Sequence, residues 1–206
     1  MEKVKEVPYG VADFVTVMEQ NLYYVDKTMF IPELEKQPRN LFFIRPRRFG
    51  KSIFLSMLHS YYDCNQSAKF QSLFGNLWIG QHPTELQGKY QVLFLDFSQV
   101  SGNIDSLERN FDFYCSVKLD GFMRRYGEAY SEETREKVRK AEYAMDKLAF
   151  IHDEAAQKGF SLYLIVDEYD NFTNVVLNEH GEKVYHAITH ADGFYRDVFK
   201  KFKGNF

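Results

Sequence analysis

Two short stretches carry residues whose types and spacing suit phosphate chemistry. In the first, Arg45-Pro46-Arg47-Arg48-Phe49-Gly50-Lys51-Ser52 follows the apolar run Leu41-Phe42-Phe43-Ile44. An apolar strand, a basic turn and then Gly-Lys-Ser opening a helix is the layout of a phosphate-binding loop. A loop turning from strand to helix aims backbone N–H groups at one point, and the helix N-terminus adds partial positive charge there. In such a loop the lysine, here Lys51, reaches the terminal phosphates of a nucleotide, and the Ser52 hydroxyl is a Mg²⁺ ligand. The match to G-x-x-x-x-G-K-[ST] is incomplete, because Arg45 stands at the first glycine, where a residue with a Cβ turns less easily. The bland alternative is a helix that happens to start at Ser52.

The second stretch, Leu162-Tyr163-Leu164-Ile165-Val166-Asp167-Glu168, is an apolar strand ending in two carboxylates. Nucleotide hydrolysis on a phosphate loop needs an acidic residue at such a strand end to hold Mg²⁺. Asp167 fits that role, and Glu168 can orient and deprotonate a water. The alternative is a buried strand followed by a solvated acidic turn, since Asp170 and Asn171 come next. Found together in this order, the two stretches support each other as a site for a nucleotide with Mg²⁺. The candidate catalytic residues are Glu168 and Lys51, and the candidate metal ligands are Ser52 and Asp167. The candidate nucleotide contacts are Arg47, Arg48, Phe49, Gly50, Lys51, Ser52 and Ile53, with Tyr24 beside the base. Tyr24 enters because the segment preceding the loop strand carries Tyr9, Phe14, Tyr24 and Val25, apolar surface on which a base can stack.

These groups need elements to hold them. Pro8 to Phe14 reads as a turn into a short helix, and Tyr23 to Thr28 as a short strand and a helix start. That helix carries Phe30, Ile31 and Leu34 and stops before Pro38. A strand is expected at 41–45, then a helix from Ser52 to Asp63 with apolar pairs at Ile53/Phe54, Met57/Leu58 and Tyr61/Tyr62. The stretch 66–89 reads as loose, broken by Gly75, Gly80, Pro83 and Gly88. Val92 to Phe97 is a continuous apolar run and reads as a buried strand. Leu107, Phe111, Tyr114, Lys118 and Phe122 mark a helix, and Ser131 starts another. The face Met145, Leu148, Ile151, His152, Ala155 continues until Gly159. After the strand at 162–166, helices are expected over 184–191 and 194–202. Strands alternating with helices argue for an α/β chain with a parallel sheet covered on both faces.

Composition narrows the partners. The chain has 206 residues, 45% hydrophobic and 27% charged, so it can bury a core. The net charge of −3 and pI near 6.1 do not support general nucleic-acid binding, which wants a basic domain. Cys64 and Cys115 form no paired motif and suit a reducing compartment. The charged start shows no signal peptide and no apolar run reaches spanning length, so cytoplasm is the expected location, with no membrane partner.

Taken together, Pro-Tyr-Gly-Val-x-Asp-Phe (8–14), Tyr-Tyr-Val-Asp-Lys-Thr (23–28), Arg-Pro-Arg-Arg-Phe-Gly-Lys-Ser (45–52) and Val-Asp-Glu-Tyr-Asp (166–170) make the chain resemble the bacterial AAA-ATPase-like family of predicted ATPases. A tail from Phe194-Tyr195 through Lys203 matches more weakly. The resemblance implies a P-loop NTPase three-layer sandwich with a mostly parallel sheet. Residues 1–40 would pack beside the nucleotide site, and 41–206 would form the core. It implies ATP as the nucleotide; no Asn-Lys-x-Asp guanine motif is present. Arginine at 45 is usual in the family. Members often continue into a nuclease-like domain of the PD-(D/E)XK type. The resemblance also implies a strand between the loop strand and the acidic strand, bearing a polar sensor and beginning just after Phe206. On that expectation the chain is truncated before the sensor strand, binds ATP more readily than it turns it over, and exposes strand edges that invite oligomerisation.

Other constellations compete. His186 and His190 share a helix face as paired metal ligands do, yet no Glu follows His186 and no third ligand is evident; a solvated helix is the alternative. Arg124-Arg125 and Lys200-Lys201 with Lys203 read as solvated faces. Three functions stay open: an ATPase; a nucleotide-gated interaction module without significant turnover; and a phosphotransferase using Asp96 at its strand end as the substrate-side carboxylate.

Overall fold

The structure is a computed structural model and describes residues 4–44, 46, 49–100, 104–190 and 193–205. It falls into two compact units, residues 1–90 and 91–206. The first holds helices α1 (Phe14–Glu19), α2 (Ile31–Glu35), α3 (Lys51–Tyr62), α4 (Phe70–Phe74) and α5 (Trp78–Gln81). The second is built on strands β1 (Tyr90–Asp96) and β2 (Ser161–Asp167). Its helices are α6 (Ile104–Tyr126), α7 (Glu132–Lys140) and α8 (Ala144–Lys158) between the strands, then α9 (Tyr169–His180), α10 (Glu182–Thr189) and α11 (Phe194–Asn205). The chain is thus mixed α/β, mostly helical, with β1 and β2 paired in a small parallel sheet.

In the first unit α3 is the organising helix. Phe54, Met57, Leu58, Tyr61 and Tyr62 form its buried stripe, as the paired apolar spacing predicts. Helix α1 packs on it. Asp13 caps α1 by accepting the Thr16 N–H at 2.8 Å, and its other oxygen accepts the Ser56 hydroxyl at 3.2 Å. Ser56 in turn accepts the Phe14 N–H at 2.9 Å. Residues 4–40 and α3 belong to the same compact unit.

In the second unit β1 leads through α6, α7 and α8 to β2, a helical crossover of the kind parallel strands require. Side chains of α6 bond to two N–H groups of β1: the Val92 N–H donates to Tyr126 Oη at 3.1 Å and the Asp96 N–H to Tyr114 Oη at 2.6 Å. Lys147, buried on α8, meets Asp120 of α6 at 2.7 Å. Ser131 caps α7, and Gly159 ends α8 with φ 71°.

Two expected strands are absent among the described residues. Residues 41–44 and 23–25 take no strand conformation, and Arg45 lies outside the described residues. A strand exists only where a ladder partner takes up its N–H and C=O groups, and the sheet here contains β1 and β2 alone. Leu41, Phe42 and Ile44 are 47%, 62% and 82% exposed, while Phe43 stacks on Phe54 with ring centroids 5.1 Å apart.

Candidate functional site

The basic loop belongs to the first unit and the acidic pair to the second. At the end of the loop Gly50 has φ 73° and ψ 30°, the left-handed region. A side chain there would be strained, with its Cβ 3.4 Å from Ile53 Cγ2, so glycine is what lets the chain turn into α3. The Gly50 carbonyl accepts the Phe54 N–H at 3.2 Å, which makes Lys51 and Ser52 the first two residues of a 12-residue helix. The first turn holds no acidic residue, and among the described residues no side chain caps it. No carboxylate of its own therefore offsets the partial positive charge of this helix end. Lys51, Ser52 and Ile53 are half-buried and Phe49 is exposed. Arg47 and Arg48 lie outside the described residues.

Tyr24 is half-buried, edge-on to Phe14 at 5.3 Å. Burial, and after it the Asp26 carboxylate, pushes its hydroxyl above the ordinary tyrosine value. Phe14 itself is fully buried against Phe74 and offers no face to a base; Tyr9 and Val25 are exposed. The neighbouring Asp26 and Thr28 have structural work that the sequence reading missed. Asp26 Oδ1 accepts the Thr28 N–H at 2.8 Å and its hydroxyl at 2.7 Å, while Oδ2 accepts the Trp78 N–H at 2.7 Å. Thr28 Oγ1 accepts the Ile79 N–H at 3.1 Å. These bonds pin the segment bearing Tyr24 to the start of α5. The Asp-x-Thr spacing is the available signal, since Asp side chains bond the backbone two residues on.

In the second unit β2 ends at Asp167, buried at 4% exposure, whose Oδ1 accepts the Glu168 N–H at 2.9 Å. Glu168 has φ 52° and ψ 33° and immediately precedes α9. Among the described non-glycine residues it shares a positive φ only with Asn21. An L-residue in the left-handed region costs about 1–2 kcal/mol, and such outliers gather at functional sites. The structure thus brings Asp167 and Glu168 together at the strand end, and Gly50 to Ile53 together at the head of α3.

A family model described as "Predicted AAA-ATPase" matches residues 8–205, a span that takes in both the basic loop and the acidic pair. The chain belongs to this AAA-ATPase-like family. A 63-residue stretch is 43% identical to a protein of Azotobacter chroococcum mcd 1 described as "Uncharacterized protein in vnfD 5'region". That stretch is 30% of this chain and 12% of that protein, so the match spans a small part of its relative's length. No solved structure matches.

The competing constellations look different in this AAA-ATPase-like chain. Asp96 Oδ1 accepts the Ser98 N–H at 3.0 Å and Oδ2 accepts Gln99 Nε2 at 3.2 Å. Tyr114, which takes the Asp96 N–H, has its hydroxyl pushed up to about 12, chiefly by burial. Asp96 is a turn cap, which weakens the phosphotransferase reading. On α10 and just past it, His186 Nδ1 faces His190 Nδ1 at 3.2 Å, while Glu182 Oε1 approaches the opposite nitrogen, His186 Nε2, at 3.4 Å. Three donors therefore do not converge on one point.

Proposed function

We propose that this chain is an ATP-binding P-loop domain, with Mg²⁺-dependent ATP hydrolysis in the full-length protein. The observation that carries the reading is Gly50 in the left-handed region directly before Lys51 and Ser52 at the head of α3. First-turn N–H groups and the Lys51 ammonium bind the phosphates, with Arg47, Arg48, Phe49 and Ile53 around them and Tyr24 at the base. Ser52 and Asp167 supply hard oxygen donors of the kind Mg²⁺ takes, and the bound ion offsets charge on the phosphate oxygens. Glu168 orients a water and accepts its proton. The parallel β1–β2 pair with its helical crossover suits a three-layer P-loop sandwich containing further strands. A downstream nuclease-like domain and a cytoplasmic location belong to the same proposal. No helix among the described residues is long and apolar enough to cross a membrane.

Calorimetry tests the site. Lys51→Ala should weaken Mg-ATP binding by about 1.5–3 kcal/mol, the range for a hydrogen bond to a charged group; equal affinity in both proteins sinks the assignment. The second reading, a nucleotide-gated interaction module, is favoured by residues 41–44, which take no strand conformation and so give ATP a segment to order. Single-turnover hydrolysis separates the two: an ATPase loses its rate in Glu168→Gln, whereas a gated module shows no significant turnover in either protein.

A further inference from the structure

The geometry points to Tyr195 as a positioning residue for Glu168, an inference that rests on reading Glu168 as the water-activating base. Tyr195 lies on α11 and is buried, 6% exposed. Its hydroxyl donates to the Tyr169 carbonyl at 2.6 Å. Tyr169 is the first residue of α9, directly after Glu168. A buried hydroxyl must find a hydrogen-bond partner, and this one is held by the carbonyl next to the left-handed residue. That carbonyl has two lone pairs, so it can serve α9 and Tyr195 together.

Glu168 is thus gripped from both sides. Its own N–H is taken by Asp167 Oδ1 at 2.9 Å, and the following carbonyl by Tyr195. A non-glycine residue stays in the left-handed region only where its surroundings over-determine it, and these two bonds do so. The grip comes from a rigid place. The Tyr195 ring lies against Phe199 at 4.9 Å, Phe111 at 5.7 Å and Phe97 at 6.1 Å. Burial, with Asp170 next, pushes the hydroxyl above the ordinary tyrosine value, so it remains a donor across the working pH range. Phenylalanine at 195 keeps an aromatic ring in the cluster and removes the hydroxyl that bonds the Tyr169 carbonyl.

Two measurements on Tyr195→Phe test the inference. Hydrogen exchange should speed up about three- to tenfold at residues 168–173, the scale of one lost hydrogen bond, while β2 is unchanged. Single-turnover hydrolysis of saturating Mg-ATP should fall about tenfold or more, within the roughly 10²-fold that a 1 Å misplacement can cost, with Mg-ATP affinity unchanged. Phe199→Leu is the control: it loosens the same aromatic cluster but keeps the hydroxyl, so it should lower stability without lowering the rate. Unchanged exchange in Tyr195→Phe overturns the grip. Faster exchange with an unchanged rate overturns the positioning role, as does an equal rate loss in Phe199→Leu. Equal rates in wild type and Glu168→Gln count against the base reading itself, and the positioning role falls with it while the exchange result still decides the grip.

Discussion

Ser131 gives both its backbone N–H and its hydroxyl to the Glu154 carboxylate, at 2.7 and 2.9 Å. The same hydroxyl oxygen caps α7 by accepting the Thr134 N–H at 3.2 Å, and Lys158 reaches Glu154 at 2.6 Å. Burial opposes ionisation of Glu154, but Lys158, Thr134 and Ser131 outweigh it and lower the carboxyl from 4.5 to about 2. A folded-state value below the unfolded one gives stability that is present above about 4.5 and lost as pH falls towards 2. The urea midpoint of the wild type should therefore drop between pH 5 and pH 3, values chosen about that window. Glu154→Gln should be less stable at neutral pH and flatter across the same range. Parallel pH profiles for the two proteins would show that Glu154 does not carry the effect.

Ser52 and Asp167 stand far apart in sequence and are proposed to share one Mg²⁺. Two residues on one ion couple, whereas independent sites add. The cycle of Ser52→Ala, Asp167→Ala and the double variant should show about 0.5–3 kcal/mol of coupling in Mg-ATP binding. With EDTA present the coupling should vanish. Simple additivity in Mg²⁺ would separate the two residues and remove the metal site.

The proposed base contact needs a substitution rather than a truncation. Removing the residues before Asn21 would take away Phe14 and Val17, both fully buried, and unfold the α1–α3 packing. Tyr24→Ala leaves those in place. It should cost ATP about 1–3 kcal/mol, the scale of base–aromatic stacking, and leave tripolyphosphate affinity unchanged. Equal losses for both ligands would mean damage to the fold instead.

How far the sequence was legible depends on whether a residue's partner is local. The stripe on α3, the Ser131 cap and the stop at Gly159 follow from spacing and turn chemistry, and all three are in the structure. Helices α4 and α5 were hidden because Gly75 and Gly80 look like breakers. At Gly80 the reason is close approach: a Cβ would lie 2.0 Å from the Phe74 carbonyl oxygen. Helix α9 was hidden because Asp170 and Asn171 resemble a turn, whereas Val176 buries the helix and Tyr195 holds its first carbonyl. Residues 41–44 look like a strand because they are apolar, but a strand also needs a partner that no local pattern reveals. At the site, the order Gly50-Lys51-Ser52 and Asp167-Glu168 was plain, while the left-handed backbone of Glu168 had no sequence signal, since glutamate is an unfavourable choice there.

The exposed apolar run before the loop should have a cost in solution. Phe42 and Ile44 are 62% and 82% exposed on a segment that takes no strand conformation. Extended apolar segments recruit other chains edge to edge. The chain should therefore self-associate with rising concentration, and Phe42→Lys with Ile44→Lys should reduce it, as charge does on strand edges. Light scattering on both proteins checks this. A wild type that stays monomeric at all concentrations would show that the run is covered.

Glu168 sets function against stability in a way a single substitution can expose. Its backbone sits at φ 52°, where glycine carries no Cβ penalty. Glu168→Gly should therefore stabilise the chain by about 1 kcal/mol, the left-handed penalty less the extra entropy glycine loses on folding. The same change removes the carboxylate proposed to accept the water proton, so hydrolysis should fall by about 10²–10⁴, the range for a lost general base. Glu168→Gln separates the two effects. It keeps a Cβ at the strained position, so it should lose the rate without gaining stability. Thermal unfolding and single-turnover assays on the three proteins give the result. If the Gly and Gln variants unfold at the same temperature, the left-handed backbone at 168 stores no strain. If both keep the wild-type rate, Glu168 is not the base.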